Sequence, residues 1–265
     1  MFFRIIMKAD LHFHPSFFGI GGKSHFTEKT SPSLKEIKEK AFDLKLNLLT
    51  ITSCSSKNWV DARWETYIKE AEESENKILS PQAISFSQWL YIIHGQELKT
   101  DRGDVNVLFA EKRVEIEKSN GNFYYIIDAA KDCGKNVLIG LNELNKCAIS
   151  LPELKKLYNQ EKIHFVESWN SLDFKKNNLE AQAIAEITGI PGIAISDGHR
   201  LEDMGKAHII INSENTPQMN YSDLAKFVKE KITTKNYQSV KGKTSIIGKG
   251  LYLSKLANAV LFPNM

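Results

Sequence analysis

Short apolar runs alternate along the chain with longer stretches in which apolar residues recur every three or four positions. The apolar runs have the length of buried β-strands, and we place them at about residues 3–11, 47–52, 91–97, 105–110, 136–141, 163–168, 192–196 and 207–212. Helix-like stretches lie between several of them: "SLKEIKEKAFDLK" with Ser33 at its start, "FYYIIDAAKDCG" ended by Gly134, and "NNLEAQAIAEITG" ended by Gly189. This alternation predicts an α/β fold with a parallel sheet, and the number of strands favours one closed barrel.

Two regions interrupt the alternation. Residues 57–90 contain a charged helical stretch, "DARWETYIKEAEESENK", followed by "ISFSQWL", and we interpret them as an elaborated connection. Residues 213–265 are rich in Lys, and "LYLSKLANAVLF" within them has helical spacing, with apolar residues at Leu251, Leu256 and Val260. We therefore predict a barrel over residues 1–212 and a helical C-terminal appendage, packed on the barrel, over residues 213–265.

The composition is that of an ordinary soluble globular protein, with 42% hydrophobic and 25% charged residues among 265. No apolar run approaches the roughly 18 residues of a membrane span, and "MFFRIIMK" is too short for a signal peptide. Three cysteines do not suggest a disulfide framework. These features predict a cytoplasmic protein without a membrane partner, and they indicate no oligomeric state.

The net charge of +3 is unevenly distributed. From Tyr221 to the C-terminus, eight Lys face only Asp223 and Glu230, a net charge of +6 that leaves −3 for residues 1–220. A basic segment of this kind either contacts nucleic acid or forms the solvated face of terminal helices. Nucleic acid therefore stays open as a partner.

Polar side chains follow the predicted strands. In a parallel barrel the carboxyl ends of the strands meet on one rim, where active sites lie. Two His follow the first strand two residues apart, Glu follows the third, and Asp and His follow the seventh, again two apart: His12, His14, Glu97, Asp197 and His199. Other polar residues at strand ends are Ser53, Cys54, Asn106, Asn142, Glu143, Glu167 and Asn170. Imidazole and carboxylate ligands together suit zinc, manganese or iron.

The motifs "DLHFHP", "ITS", "GQE" and "SDGHRLEDMGKA" resemble, in this order over roughly residues 8–210, those of the polymerase and histidinol phosphatase (PHP) superfamily. The resemblance implies a distorted seven-stranded, TIM-like (β/α) barrel. It also implies a cluster of up to three metal ions that hydrolyses phosphoesters. By the same resemblance the metal ligands are His12, His14, Glu97, Asp197 and His199, and we assign Asp197 and His199 to catalysis as well.

Several positions depart from the family pattern. Ser53 and Cys54 stand where the family has Asp and His, Asn106 stands at its mid-chain His, and Leu141–Asn142 at its His-Pro motif. Cys54 is either a soft-metal ligand or a small buried side chain, and His25 is either a replacement ligand or a loop residue. Because amide oxygens bind transition metals weakly, we predict one tightly bound ion, held by His12, His14, Glu97 and Asp197.

The cations nearest the ligand motifs, Lys99, Arg102 and Arg200, are candidates for binding a substrate phosphate. Whether the chain is an enzyme is left open by the sequence. The favoured function is a metal-dependent phosphoesterase acting on a phosphorylated metabolite, nucleotide or nucleic-acid end. A barrel that has lost turnover and serves as a binding or regulatory module is the main alternative. An amidohydrolase-type hydrolase fits less well, because that group has a His after its fifth and sixth strands, where this chain reads "GLN" and "VES".

Overall fold

The computed structural model of the protein describes residues 5–15, 32–55, 60–74, 76–86, 90–115, 119–213 and 219–243. His25 and the predicted helix at 251–262 lie outside these residues, as does the side chain of Cys54. The expectations attached to them stay predictions, and so does the division of the chain at residue 212.

The elements alternate as the apolar pattern indicates. The strands are β1 (Ile5–Phe13), β2 (Leu48–Ser55), β3 (Lys77–Ser80), β4 (Ala83–Phe86), β5 (Leu90–Leu98), β6 (Val105–Leu108), β7 (Leu138–Leu141), β8 (Phe165–Asn170), β9 (Gly192–Ile195), β10 (His208–Ser213) and β11 (Tyr237–Val240). The helices are α1 (Leu34–Asp43), α2 (Val60–Glu73), α3 (Phe123–Lys131), α4 (Leu151–Asn159), α5 (Lys175–Thr188) and α6 (Tyr221–Thr233), with a 3-10 turn, η1, at Leu144–Lys146.

The predicted helix ends are formed by specific side chains. Ser33 and Glu36 close a capping box at the start of α1, each side chain accepting from the backbone N–H of the other residue. Gly189 ends α5 in the left-handed conformation, with φ 75°. The prediction omits α4, although Ser150 caps it and a Pro follows at its first turn.

The sheet forms a nearly closed barrel, which confirms the predicted distorted, TIM-like fold. Its strand order is β11-β10-β1-β2-β5-β6-β7-β8-β9, and the β3–β4 hairpin attaches to β5. The sheet has more strands than predicted because β3 and β4 fold from the connection at 57–90 and β11 follows α6. Strands β1, β2 and β5 are parallel to one another, and so are β7, β8 and β9. Strand β6 is antiparallel to both of its neighbours, β5 and β7.

The antiparallel direction of β6 was not predicted from the alternating pattern. Its cause is the connection from β5, which is only residues 99–104 and is too short for the crossover of a dozen or more residues that parallel strands need. The reversal places the first residues of β6 on the same rim as the last residues of β5. Glu97 and Asn106 are consequently direct cross-strand partners.

The barrel closes along β1, which contacts two different segments, β10 and the residues that follow β9. The first half of β1 pairs antiparallel with β10, from Ile5–Ser213 to Ala9–Ile209. Beyond the end of β9, the backbone N–H of Asp197 donates to the carbonyl oxygen of His12 at 2.9 Å. The backbone N–H of His14 donates to the carbonyl oxygen of Gly198 at 2.8 Å. The end of β1 is thus bonded to the residues that follow the last strand of the barrel wall.

Helix α6 covers the amino-terminal end of the barrel. Its apolar face packs with side chains from strands all around the barrel in one core cluster, to which it contributes Tyr221, Leu224, Ala225, Val228 and Ile232. The other helices pack in separate clusters with the outer faces of the strands. Because apolar side chains fill this end, the polar residues gather at the opposite rim.

Candidate metal centre

The end of β1 turns two imidazoles to one side. The register between β1 and β2 shifts between Asp10 and Phe13. Leu11 packs in the interior cluster with α6, whereas Phe13 packs in the cluster of α1 and α2. In a regular strand Leu11 and Phe13, two residues apart, would face the same side. The irregularity brings His12 and His14 to the rim directly above an apolar interior.

The two imidazole rings are inclined to each other by 69° and approach through their Nε2 atoms. His14 Nδ1 lies 2.7 Å from the carbonyl oxygen of Thr52, and His12 Nδ1 lies 2.6 Å from Glu167 Oε1. Because both partners accept hydrogen bonds, both Nδ1 atoms carry the hydrogen. The two Nε2 atoms then lie 2.8 Å apart, which is too close for two lone pairs without a proton or a metal ion between them. Such an arrangement is favourable only when a cation lies between or beside the two nitrogens.

Two carboxylates complete this group. Glu97 Oε2 lies 3.5 Å and Asp197 Oδ1 lies 3.4 Å from His14 Nε2, and the corresponding distances to His12 Nε2, from Glu97 Oε1 and Asp197 Oδ1, are 3.9 and 3.7 Å. Four ligands at about 2.0–2.1 Å from a tetrahedral ion lie about 3.3 Å from one another. The spacing and the chemistry of these four side chains therefore fit a divalent ion.

His199 joins the group on the side of Asp197. Its Nδ1 donates to the carbonyl of Asp197 at 2.9 Å, which leaves Nε2 as the acceptor nitrogen, and its ring centroid lies 4.7 Å from that of His14. Burial lowers the pKa of His199 to about 4, and the neighbouring His14 acts in the same direction. The ring is therefore neutral at pH 7. His14, Asp197 and His199 form a second trio that has the spacing of metal ligands, besides His12, His14 and Glu97.

Asp197 has an uncommon backbone conformation. Its φ of 48° lies in the left-handed region, which residues other than Gly seldom adopt. The hydrogen bond from its N–H to β1 holds it there, with its side chain turned back toward the two imidazoles. Strained backbone of this kind concentrates at functional sites. The Asp197 side chain is 18% exposed, so the group is open to solvent on this side.

Asparagine amides hold the carboxylates from behind. Asn142 donates to Glu97 Oε1 at 2.8 Å, Asn170 to Asp197 Oδ2 at 2.8 Å, and Asn106 to Glu167 Oε1 at 2.5 Å. Among the residues that the structure describes, no hydrogen-bond donor reaches the buried oxygens Asn106 Oδ1, Asn142 Oδ1 and Glu167 Oε2. Asn106 and Asn142, which depart from the family pattern, thus fix carboxylates through their amide nitrogens.

The buried charges together favour an additional positive charge. Burial alone would lower the pKa of His12, but the carboxylates of Glu167, Asp197 and Glu97 raise it to about 10. Burial raises the pKa of Glu167 to about 7. Burial also opposes ionisation of Glu97, yet His12 and His14 hold its pKa below the ordinary value. The three carboxylates repel one another, and either a proton or a metal ion at the imidazoles offsets this repulsion.

The predicted phosphate-binding cations lie outside this group. Arg102 Nη1 pairs with Glu153 Oε1 at 2.6 Å, and Arg200 makes a two-point contact with Asp203 at 2.7 and 2.9 Å. Lys99 is exposed. Their role in substrate binding stays a prediction, and both arginines already have carboxylate partners.

Lys146, which the sequence analysis did not single out, lies nearer the site. It forms an ion pair with Glu143, and burial, which would lower its pKa, is outweighed by Glu143, Asp173 and Asp197. Glu143 itself has a left-handed φ of 41° at the start of η1. The spacing of Glu143 and Lys146, three residues apart directly after a strand, was the signal in the sequence.

His94 has a structural environment on the other face of β5. Its Nδ1 lies 2.8 Å from Gln82 Oε1, its Nε2 lies 3.2 Å from Ser53 Oγ, and its ring stacks on Trp64. Burial lowers its pKa to about 4, and Arg113 acts in the same direction. Alternation along the strand separates it from Glu97.

Solved structures with a similar fold include two of low sequence identity. PsfC from Pseudomonas syringae PB-5123 is 12% identical, with a TM-score of 0.60 over 97% of this chain and 99% of that one. The lesion-specific endonuclease PfuEndoQ from Pyrococcus furiosus is 17% identical, with a TM-score of 0.54 over 89% of this chain, which spans 58% of that chain. Identities this low show the fold alone.

No curated protein sequence matches the chain significantly. Within the described residues, no helix has the length and apolar character to cross a membrane. Residues 175–230, which include α5, β9 and most of α6, match the family described as PHP-associated. The resemblance to the PHP superfamily that the sequence motifs predict is confirmed by this match.

Proposed function

We propose that the protein is a metal-dependent phosphoesterase of the PHP type with one tightly bound divalent ion. The observation that carries the proposal is the meeting of His12 Nε2 and His14 Nε2, 2.8 Å apart, with Glu97 and Asp197 beside them. The substrate we propose is a phosphorylated small molecule, a nucleotide or a nucleic-acid end. The fold shared with a lesion-specific endonuclease supports keeping nucleic acid in this set.

Some of the side chains balance the charge of the ion, and another accepts a proton. When bound, a divalent ion supplies Lewis acidity toward a phosphoryl oxygen and lowers the pKa of water. Glu97 and Asp197 balance the charge of the ion, and Asn142 and Asn170 hold these carboxylates in place. His199 has Nε2 as its acceptor nitrogen, so it can accept the hydrogen of an attacking water, which is the catalytic role that the sequence predicts for it.

Lys146 is the side chain we assign to the substrate phosphate, besides the predicted Lys99, Arg102 and Arg200. It lies at the rim with Glu143 and feels the charge of Asp197. A lysine can exchange its carboxylate partner for a phosphate oxygen as a point charge. The two arginines would first have to leave Glu153 and Asp203.

The proposal is tested by elemental analysis together with hydrolysis of chromogenic phosphate mono- and diesters. We expect about one ion per chain after purification without chelators, and turnover that stops on chelation and returns with zinc, manganese or iron(II). His12→Ala should lose both the ion and turnover, whereas His94→Asn, a matched change of a buried His outside the site, should keep both. Turnover that survives in His12→Ala would show the proposed site to be wrong.

A second candidate is a binding module that has kept an ion but lost turnover. It is favoured by Asn106, whose neutral amide stands where the PHP pattern has a histidine, and by Asn142, which lies where the pattern has its His-Pro motif. These amides bind Glu167 and Glu97. This candidate predicts one ion per chain with no hydrolysis of any ester in the same assay. Restoring histidine at both positions, Asn106→His with Asn142→His, should then raise the number of bound ions.

A further inference from the structure

Glu167 on β8 contacts one of the two facing imidazoles but belongs to neither group of ligand-spaced side chains. Its Oε1 lies 2.6 Å from His12 Nδ1, and the side chains of His12 and Glu167 are each only 1% exposed. Asn106 donates to the same oxygen at 2.5 Å. Glu167 therefore stands behind the His12 ring, on the side away from Nε2.

We infer that Glu167 is the residue that positions His12 for metal binding, an inference that rests on the proposed metal site. By accepting the Nδ1 hydrogen it fixes the tautomer of His12 and turns Nε2 toward the ion. Its negative charge also makes the ring a stronger donor, as carboxylates behind metal-binding imidazoles do. Asn106, through the same oxygen, holds the Glu167 carboxylate against the ring.

The two imidazoles differ in this support. His14 is held by the backbone carbonyl of Thr52, a neutral acceptor at 2.7 Å, whereas His12 is held by a buried carboxylate. The orientation of His14 therefore depends on the path of β2, and that of His12 depends on a single side chain from β8. Metal affinity should respond to substitution of Glu167 through His12 alone.

Two variants separate orientation from charge. Glu167→Gln keeps an acceptor oxygen and removes the charge, whereas Glu167→Leu removes both and leaves a side chain of similar size. Affinity for Zn²⁺ and Mn²⁺ is measured by competition with a chromogenic chelator. We expect the affinity to fall less than about 10-fold in Glu167→Gln and about 10- to 100-fold in Glu167→Leu, with the number of ions per chain unchanged.

The second readout is the tautomer of His12, followed by ¹⁵N NMR of the ring nitrogens in metal-free protein at a pH above the pKa of His12, where the ring is neutral. The wild type and Glu167→Gln should carry the hydrogen on Nδ1, and Glu167→Leu should show a mixture of tautomers. Asp203→Asn is the control for loss of a buried carboxylate, since Asp203 pairs with Arg200 and contacts neither imidazole. It should lower the melting temperature and change the metal affinity less than about threefold.

Wild-type affinity and a wild-type tautomer in a folded Glu167→Leu protein would overturn the inference. A loss of more than about 10,000-fold would overturn it too, because Glu167 would then be a ligand itself. If Glu167→Leu does not fold, Glu167→Gln and Asn106→Ala carry the same two measurements. If the wild type binds no ion, the proposed function fails, and the tautomer measurement alone decides whether Glu167 positions His12.

Discussion

The two ends of the barrel are stabilised in opposite ways. At the amino-terminal end, α6 seals the interior with an apolar face that includes Leu224 and Val228. At the other rim, buried carboxylates and imidazoles crowd together, and the carboxylates of Glu167, Asp197 and Glu97 raise the pKa of His12 to about 10 against the effect of burial. Packing thus stabilises one end, while the other keeps an electrostatic arrangement that is unfavourable without a cation. The comparison indicates that stability and metal binding can be changed separately.

The largest effect should come from Asp197→Asn, which removes a charge but suits the left-handed backbone, since Asn tolerates φ above zero. Four-ligand zinc sites bind with about 10–16 kcal/mol, so one ligand accounts for roughly 3 kcal/mol. We expect metal affinity to fall at least about 100-fold, measured by chelator competition. The melting temperature of the metal-free protein should not fall, and a marked decrease would show that Asp197 stabilises the fold.

At the opposite end, Leu224→Ala should lower the free energy of unfolding by about 2–5 kcal/mol, because Leu224 is fully buried between α6 and the barrel. Urea unfolding measures this loss. Lys226→Ala on the exposed side of the same helix is the control, with a change below about 0.5 kcal/mol. The metal affinity of Leu224→Ala should equal that of the wild type, and a change above about threefold would couple the two ends.

A smaller effect concerns pH. Burial lowers the pKa of His164 to about 4, and its Nδ1 accepts the N–H of Ile139. The folded state therefore prefers the neutral ring of His164. The contribution of His164 to the free energy of unfolding is present above about pH 6.5 and is lost as the pH falls toward 4. Between pH 7 and pH 5 we expect the wild type to lose roughly 1–2 kcal/mol more than His164→Asn, which keeps an acceptor. Equal slopes in urea unfolding at several pH values would contradict this.

The smallest effect is expected for the partly exposed pair of Arg102 and Glu153. Exposed ion pairs contribute about 0–1 kcal/mol, so Glu153→Gln should change the free energy of unfolding by less than about 1 kcal/mol and leave metal affinity unchanged. The substitution also frees Arg102. A lower KM for phosphate esters in this variant would support the predicted role of Arg102 in substrate binding, and an unchanged KM would argue against it.

Much of the fold follows from local signals in the sequence. The apolar runs mark the strands of the barrel wall, and the capping residue Ser33 and the terminal Gly189 mark helix ends, because these signals depend on neighbours in sequence. The direction of β6 depends on the length of the connection from β5, and the pattern of apolar residues carries no information about that length. The β3–β4 hairpin was missed because its strands have four residues each and follow a strongly charged helix.

At the site, the spacing of two residues identified the imidazole pair, and the structure brings His12, His14, Glu97 and Asp197 together. What the sequence could not give was the partner behind each ring. Glu167 lies 155 residues from His12, and no local pattern distinguishes it from the other polar residues at strand ends. The pairing of Arg102 with Glu153 likewise depends on how α4 packs, so proximity to a motif in sequence did not place that side chain at the site.

The seam of the barrel has a consequence for the order of folding. His12 and His14 are synthesised about 185 residues before Asp197, whose backbone N–H bonds to the carbonyl of His12. Contacts of such long range form late, because the chain entropy of closing the loop must be overcome first. During synthesis the ion therefore has no complete set of ligands until nearly the whole barrel has left the ribosome. Binding of the ion thus reports closure of the barrel. In a refolding experiment, binding of the ion should be among the last events.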